Sequence, residues 1–202
     1  MCNDGFRDKS GKILILCGKS GSGKDAIQRE LWKRGFNRVV STTTRPMRDG
    51  EVPGREYHFV SRRTFSLLIE WDELIEYRTY TTLVNGKKDV WFYGMRKFQL
   101  EESERYVVIL DIEGAKSFVD YFGLKNCYVV FVNTSDETRE ARARCRGSFD
   151  ETEWKRRLAA DEIDFSADKL SGCVDRIIDN NGELSDSVQE IESLFNAVFE
   201  NA

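Results

Sequence analysis

The sequence predicts an α/β fold, a sandwich in which helices flank a parallel core sheet. Three observations predict this fold class. Apolar runs of strand length recur at residues 13–17, 106–110 and 127–132, and helical segments separate them. A glycine-rich turn directly follows the first run and directly precedes a helical segment. The length of 202 residues suits one domain with insertions.

The composition excludes several classes of function. Lys and Arg number 31 against 35 for Asp and Glu, and the net charge of −4 does not favour a general nucleic-acid binder. No apolar run approaches the length of a membrane span, and no signal-peptide core is visible. Cys17 and Cys127 lie in apolar runs, as reduced thiols do, which suits a cytoplasmic protein. We expect no nucleic-acid or membrane partner; a monomer and a homodimer both stay open.

The glycine-rich turn has the residues and the flanking segments of a P-loop, a phosphate-binding loop. Its glycines let backbone N–H groups curl around phosphate oxygens without Cβ clashes, and the helix N-terminus adds partial positive charge. Lys24 is placed to reach the β- and γ-phosphates. The alternative is a plain glycine-rich turn with a helix-capping Asp. The residues predicted to bind ATP are Gly18, Lys19, Ser20, Gly21, Ser22, Gly23, Lys24 and Asp25.

Asp25 departs from the P-loop pattern, which normally ends in Ser or Thr with its hydroxyl on Mg²⁺. A carboxylate is a hard oxygen ligand and can hold Mg²⁺ directly or through water. It also brings negative charge towards the phosphates. We therefore expect Asp25 to be tolerated only with the metal present.

Local patterns predict further elements along the chain. Helices are expected at 25–33 (with Gly35 as C-cap), 62–76, 96–104, 151–166 and 183–200, strands at 36–42 and 174–179, and an added hairpin turn at Asn85 and Gly86.

Residues 41–61 form a loop that is rich in hydrogen-bond donors and contains both prolines of the chain. Arginine offers planar bidentate donors to a phosphate, and Ser, Thr and Tyr offer O–H donors. Because this loop follows the P-loop closely, it is predicted to hold the phosphorylated acceptor of a kinase. The alternative is a solvated turn with incidental charges.

The same loop resembles that of the guanylate kinases. That family combines a P-loop with the pattern S-x-T-T-R-x-P-R-x-G-E, followed by G-x-x-Y-x-F-V. The proline falls one place early, at Pro46 instead of the position of Met47. The positions in register are Ser41, Thr43, Thr44, Arg45, Arg48, Gly50, Glu51, Gly54, Tyr57, Phe59 and Val60.

The resemblance implies roles for residues of this loop. Arg45, Arg48 and Tyr57 would grip the acceptor monophosphate. Ser41 would lie by the base, and Glu51 would support the loop.

The resemblance also implies a guanine base. The family's F-[IL]-E motif has a Glu that accepts from guanine N1–H and the 2-amino group, and Glu76 matches it. Adenine lacks that donor pair. The family then has Y-G-S or Y-G-T, whose hydroxyl meets guanine O6, but here the residue is Met95, and a thioether is no donor. Either a threonine of the inserted segment (Thr79, Thr81 or Thr82) meets O6, or base selection is relaxed.

Two acids follow the apolar run 106–110. In open α/β sheets, ligands collect at the carboxyl ends of the strands. Guanylate kinases carry L-D-I-D here, and the resemblance implies that Asp111 helps organise the metal and the phosphates, while Glu113 faces the base. The alternative is a pair of helix-capping acids.

Arginines that follow the apolar run 127–132 are predicted to form a lid. Arg142 and Arg146 are four residues apart and share one helix face, where cations can stabilise charge on a transferring phosphoryl group. The family's mobile lid has R-x-x-x-R-G here, and Arg157 matches a further phosphate-reaching arginine. Asn180 matches V-x-N-D, whose Asn lies near the donor's adenine. The alternative for the arginines is a solvated helix face.

The resemblance covers about residues 12–199 and implies a P-loop kinase with an inserted NMP-binding subdomain and a helical lid. It implies phosphorylation of GMP or dGMP by ATP with Mg²⁺, without a general base because the acceptor phosphate is already anionic. Two alternatives stay open, namely a kinase of this fold with another acceptor such as ribose bisphosphate, and a non-catalytic guanylate-kinase-like interaction module. The expected core is about 12–36, 96–137 and 154–199, the insert about 37–95, and the lid about 138–153.

Overall fold

The computed structural model describes residues 11–84, 87–145 and 149–199, without the side chains of 82–84 and 87. The strands are β1 (Lys12–Cys17), β2 (Asn37–Arg38), β3 (Thr42–Thr43), β4 (His58–Phe59), β5 (Leu74–Val84), β6 (Lys87–Arg96), β7 (Arg105–Ile109), β8 (Cys127–Asn133) and β9 (Arg176–Asp179). The helices are α1 (Lys24–Lys33), α2 (Arg62–Glu70), α3 (Ile112–Phe122), α4 (Asp136–Arg144), α5 (Glu151–Asp164), α6 (Ala167–Ser171) and α7 (Leu184–Phe199).

The chain divides into two compact units. The first comprises the residues up to Arg38 and those from Leu100 onward, and the second is Val39–Gln99. The first unit contains a parallel sheet in the order β2-β7-β1-β8-β9. Because the strands are parallel, their carboxyl ends share one edge, and residues that follow different strands meet there.

β1 occupies the centre of this sheet, between β7 and β8. Its residues from Ile13 to Cys17 are buried, which explains why the run is continuously apolar instead of alternating. Helices α1 and α7 pack on the sheet through apolar residues three or four positions apart, such as Ile27 and Leu31. Burial of each such side chain stabilises the fold by about 1.5–3 kcal/mol.

The second unit is a sheet in the order β4-β3-β6-β5, in which β5 and β6 form an antiparallel hairpin. One face packs against α2, where Phe65, Leu68 and Leu74 are buried together with the partly buried Phe92. Gly94 permits this contact, because a Cβ there would lie 3.0 Å from the ring of Phe65.

The prediction of a helix over 62–76 is wrong at its C-terminal end. Helix α2 ends at Glu70, and Asp72 adopts the left-handed region with φ 54°. The N–H groups of Asp72 and Glu73 then donate to the carbonyls of Ile69 and Leu68. This is the Schellman arrangement, which ends a helix without requiring glycine.

Two other local predictions are also wrong. Residues 97–104 are not helical, because β6 extends to Arg96 and the following loop turns through Ser103 at φ 61°. The stretch 36–42 is not one strand, because β2 joins the first sheet while β3 joins the second. The predicted turn at 85–86 lies outside the described residues, although Val84 pairs with Lys87 on either side of it.

Most core elements agree with the sequence. Strands at 12–17, 106–110, 127–132 and 174–179 and helices at 25–33, 151–166 and 183–200 are confirmed within a few residues. Among the described residues the cysteines are free thiols, and burial raises the pKa of Cys127 to about 12. Within the described residues, none of the helices combines the length and the apolar character needed to cross a membrane.

Candidate nucleotide-binding site

The glycine-rich loop lies between β1 and α1, at the carboxyl edge of the parallel sheet. Gly21 and Gly23 have φ values of 80° and 97°, in the left-handed region that favours glycine. Added Cβ atoms would also collide with neighbours, at 2.8 Å from the carbonyl oxygen of Arg139 and 2.5 Å from Nδ2 of Asn180 respectively. Both glycines are therefore required by the loop conformation and by its surroundings.

The ammonium group of Lys24 folds back over the loop. It donates to the carbonyl of Gly18, to the carbonyl of Lys19 at 3.0 Å and to Oγ of Ser22 at 3.2 Å. Burial lowers the pKa of Lys24, while the nearby carboxylates of Asp25 and Asp161 oppose that shift. The loop thus holds a cation at its centre through oxygen atoms that a phosphate can replace.

The carbonyl of Ser22 ties the loop to the rest of the first unit. It accepts from Nδ2 of Asn180 at 2.7 Å, from Oγ1 of Thr134 at 3.1 Å and from Nη1 of Arg142 at 3.3 Å. The side chain of Asn180 is 1% exposed and also accepts from Ser187. The structure therefore places Arg142 and Asn180 against the P-loop, while the predicted position of Asn180 near adenine stays a prediction.

A buried ion pair holds the opposite side of the loop. Asp161 of α5 accepts from the backbone N–H of Ser20 at 2.8 Å and from its hydroxyl at 3.2 Å. Arg139 of α4 is 0% exposed and donates to the carbonyl of Ser20 at 2.9 Å and to Asp161 at 3.0 Å. Its guanidinium also lies 5.9 Å from the ring centre of Trp154.

Neither Arg139 nor Asp161 was predicted from the sequence as a site residue. The spacing of three between Asp136 and Arg139, an i,i+3 ion pair, was the available signal for a partner. No pattern in α5 distinguishes Asp161 from the exposed acids around it.

The other two arginines predicted for phosphate binding, Arg146 and Arg157, are not placed against the P-loop by any described contact. Arg157 of α5 is half exposed and donates to Glu153 at 2.9 Å. The guanidinium of Arg156, with that of Arg157, lowers the pKa of Glu153 to about 2. Arg146 lies outside the described residues. Lys19 of the loop forms an ion pair with Glu162.

The acids predicted for the metal (Asp25 and Asp111) and for the base (Glu113) take different positions. Asp25 is exposed in the first turn of α1. Asp111 follows β7 beside the P-loop strand and caps α3 by accepting from the N–H of Gly114 at 2.6 Å. Glu113 is exposed and pairs with Lys116 at 3.3 Å. The described residues contain no group of three or more His, Cys, Asp or Glu that could hold a metal ion alone.

The donor-rich loop of the second unit is organised by Glu51. One carboxylate oxygen accepts from Nη2 of the buried Arg45 at 2.7 Å, and the other accepts from the N–H of Arg48 at 2.7 Å. The hydrogen bond from Arg45 lowers the pKa of Glu51. Burial alone would lower the pKa of Arg45, but its bond to Glu51 raises it. This arrangement keeps Arg45 charged and fixed in position.

Aromatic rings continue this cluster. The guanidinium of Arg45 lies 5.3 Å from the ring centre of Tyr57, which in turn packs edge-on against Tyr93 at 5.7 Å. The side chain of Arg48 is exposed, and the carbonyl of Ser41 accepts from the N–H of His58. The structure thus brings Arg45, Glu51 and Tyr57 together within the second unit.

Glu76 lies on β5, opposite Met95 of β6. Its neighbour on the same face is Arg78, whose Nη1 is 3.8 Å from Oε2 of Glu76. Both residues line a cavity of about 450 Å³ beside β5 and the end of α2. Arg78 had not been singled out from the sequence.

A parallel sheet with a glycine-rich loop and a lysine folded over that loop, at the carboxyl end of the central strand, defines an α/β P-loop protein. A solved structure of guanylate kinase from Anaplasma phagocytophilum has the same fold. It aligns with a TM-score of 0.65 and 22% identity, covering 95% of this chain and 88% of that one. The predicted fold class is confirmed.

The family model for guanylate kinase matches residues 10–198. The guanylate kinase of Gloeobacter violaceus is 35% identical over 183 residues, which are 82% of this chain and 84% of the relative. That of Wolbachia pipientis wMel is 33% identical over 193 residues, 92% of this chain and 90% of the relative. The chain is also 29% identical to the rice guanylate kinase 2, chloroplastic/mitochondrial, and spans 64% of that longer protein. The chain belongs to the guanylate kinase family of nucleoside monophosphate kinases.

Proposed function

We propose that this protein transfers the γ-phosphoryl group of ATP to GMP or dGMP, giving ADP and GDP or dGDP. The observation that carries the proposal is the family match over residues 10–198, in a chain whose P-loop lysine is present and positioned over its loop. An interaction module without catalysis has no need of a buried ammonium group at that point, so the enzyme is favoured.

The P-loop supports the ATP half of the reaction. Lys24 makes its hydrogen bonds to oxygen atoms of the loop, and these are the same kind of partner that β- and γ-phosphate oxygens provide. Arg142 is anchored beside Ser22, where its charge acts on the same phosphates. Arg146, in the predicted lid of about 138–153, and Arg157 of α5 are proposed to close over the transferring phosphoryl group. Asn180 is proposed to lie near the adenine of ATP.

The described residues fit Mg²⁺ as a partner of the phosphates. This ion is usually held by one or two carboxylates together with substrate phosphates, so no protein cage of three ligands is needed. Asp25 is exposed at the start of α1 and would hold it, with Asp111 organising the neighbouring strand end. When bound, Mg²⁺ neutralises phosphate charge; the protein's share is to orient the groups around it.

The second unit supports the acceptor half. Arg45 and Arg48 are proposed to bind the acceptor phosphate with the hydroxyl of Tyr57, because guanidinium groups offer paired donors to phosphate oxygens. Glu51 positions both arginines. Glu76 is proposed to accept from guanine, with Ser41 and Glu113 beside the base. Residues of about 37–95 would form the acceptor-binding insert, and the rest would form the core and the lid.

The free thiols of the described cysteines suit a cytoplasmic location.

An assay of ADP release tests the proposal. Wild-type protein with ATP and Mg²⁺ is given GMP, dGMP, AMP or ribose 1,5-bisphosphate in turn, and turnover is expected with GMP and dGMP. Lys24→Ala should reduce turnover at least about 1,000-fold while leaving the circular dichroism spectrum unchanged, since it removes charge stabilisation of the transferring group. Turnover of ribose bisphosphate but not of GMP would contradict the proposal, and so would near-normal turnover by Lys24→Ala.

A further inference from the structure

The guanine edge of GMP presents three groups in a row, the O6 acceptor and the N1–H and N2 donors. A carboxylate such as that of Glu76 can satisfy both donors but has nothing to offer O6, because an ionised carboxylate only accepts hydrogen bonds. A buried carbonyl without a donor costs free energy, so a selective site needs a donor beside Glu76.

Met95 cannot supply that donor. Met95 lies directly opposite Glu76 in the hairpin and is 1% exposed, so its side chain is buried at this point of the sheet. Its thioether is a weak acceptor and carries no hydrogen to donate.

Two threonines that the sequence had suggested for O6 lie on the wrong face of the sheet. Thr79 pairs with Phe92, which packs against α2, so Thr79 lies on the face that α2 covers. Tyr77, two positions before Thr79, lies on the same face, and its ring centre is 6.4 Å from that of Phe65 in α2. Thr81 shares that face because side chains alternate along a strand. Thr82 lies six residues further along β5 than Glu76, about 20 Å away, which is beyond the reach of one purine base.

Arg78 meets the requirements that these residues fail. It lies two positions from Glu76 on the same face, and its guanidinium nitrogen Nη1 approaches Oε2 of Glu76 at 3.8 Å. The same Nη1 donates to the carbonyl of Tyr77 at 2.8 Å, which holds the group along the strand. The side chain of Arg78 is 32% exposed, so a ligand can reach it. A guanidinium carries five N–H donors and no acceptor.

We propose that Arg78 is a specificity-determining residue that donates a hydrogen bond to O6 of the guanine acceptor, in place of the hydroxyl that Met95 lacks. This inference rests on the proposed function. Together, Glu76 and Arg78 form an acceptor and a donor that match the guanine edge. Adenine turns an amino donor towards Arg78 and a ring-nitrogen acceptor towards Glu76, so both of its contacts are mismatched.

The experiment compares Arg78→Met with Arg96→Met, using kcat/KM from ADP release. Arg96 is an exposed residue of the same hairpin, opposite the buried Leu74 and hence on the face of α2, so the control makes the same change of charge elsewhere. Arg78→Met should lose about 10- to 100-fold in kcat/KM for GMP, as expected for a hydrogen bond from a charged donor. Arg96→Met should stay within about twofold of wild type. Arg78→Lys, which keeps a cationic donor, should recover part of the loss.

A second acceptor, 6-thio-GMP, identifies the atom concerned. Its thiocarbonyl is a poor acceptor, so wild type should use it less well than GMP, and Arg78→Met should lose little more. Equal losses of Arg78→Met on both acceptors would overturn the inference, as would a GMP loss no larger than that of Arg96→Met. Thermal melting of both variants separates a folding defect from a lost contact. Absence of GMP turnover in wild type would instead overturn the proposed function, and the inference with it.

Discussion

Removing the carboxylate of Asp161 should destabilise the protein because it breaks a buried ion pair. Arg139 is 0% exposed, and Asp161 is the buried one of the two carboxylates that pair with it in the described part of the chain. The other partner, Asp136, is 71% exposed and bonds from the solvent side. Asp161→Ala would therefore leave a buried charge with poor compensation and remove the acceptor of the Ser20 N–H group.

The magnitude follows from this geometry. Breaking a buried pair by removing one partner costs about 3–5 kcal/mol, and the surviving Asp136 contact places this case at about 3 kcal/mol. For a chain of this length each 1 kcal/mol corresponds to about 2–4 °C, so the melting temperature should fall by about 6–12 °C. Asp164→Ala, an exposed aspartate of the same helix, is the matched control and should change stability by no more than about 0.5 kcal/mol.

Thermal and urea unfolding followed by tryptophan fluorescence would measure both variants. A double variant, Arg139→Leu with Asp161→Ala, should recover a large part of the loss, because it removes the buried charge along with its partner. If Asp161→Ala melts no lower than Asp164→Ala, or if the double variant is as unstable as the sum of its single changes, the reasoning from the buried pair is wrong.

Two further predictions concern the acids of the two loops. Glu51 has a folded-state pKa below its unfolded value, so its stabilisation is present above about pH 4.3 and is lost as the pH falls through the folded pKa. Glu51→Gln should cost roughly 1–3 kcal/mol at neutral pH. It should also flatten the fall of the unfolding free energy as the pH drops below about 4.3, as measured by urea titrations; an unchanged slope would count against the Arg45 pair. Asp25→Thr should retain activity but raise the Mg²⁺ concentration for half-maximal rate by about 10-fold. Equal Mg²⁺ titrations of both forms would remove Asp25 from the metal site.

The sequence was sufficient for features that depend on local pattern. The run 13–17 is apolar at every position because β1 has neighbours on both sides, and the glycines of the loop are required by backbone angles that few other residues adopt. The donors around Glu51 are close in sequence, so their cluster was also predictable.

Features that depend on tertiary packing were missed. Asp161 meets Arg139 across 22 residues and two helices, and no periodicity marks that pair. The end of α2 depends on Asp72 accepting a left-handed conformation, which its residue type permits but does not require. Arg78 gained its significance only from the register of β5 and β6, because that register decides which side chains share a face with Glu76.

The contacts of Lys24 with its own loop have a consequence for which anions that loop can bind. Its ammonium group already has three oxygen neighbours, so an incoming anion gains only the difference between new and surrendered contacts. A single orthophosphate would form few contacts beyond those that Lys24 loses when it turns from its loop oxygens. A chain of phosphates would in addition accept hydrogen bonds from the backbone amides of the loop and from the N-terminus of α1. These contacts of Lys24 should thus make the loop favour a polyphosphate chain over a single small anion.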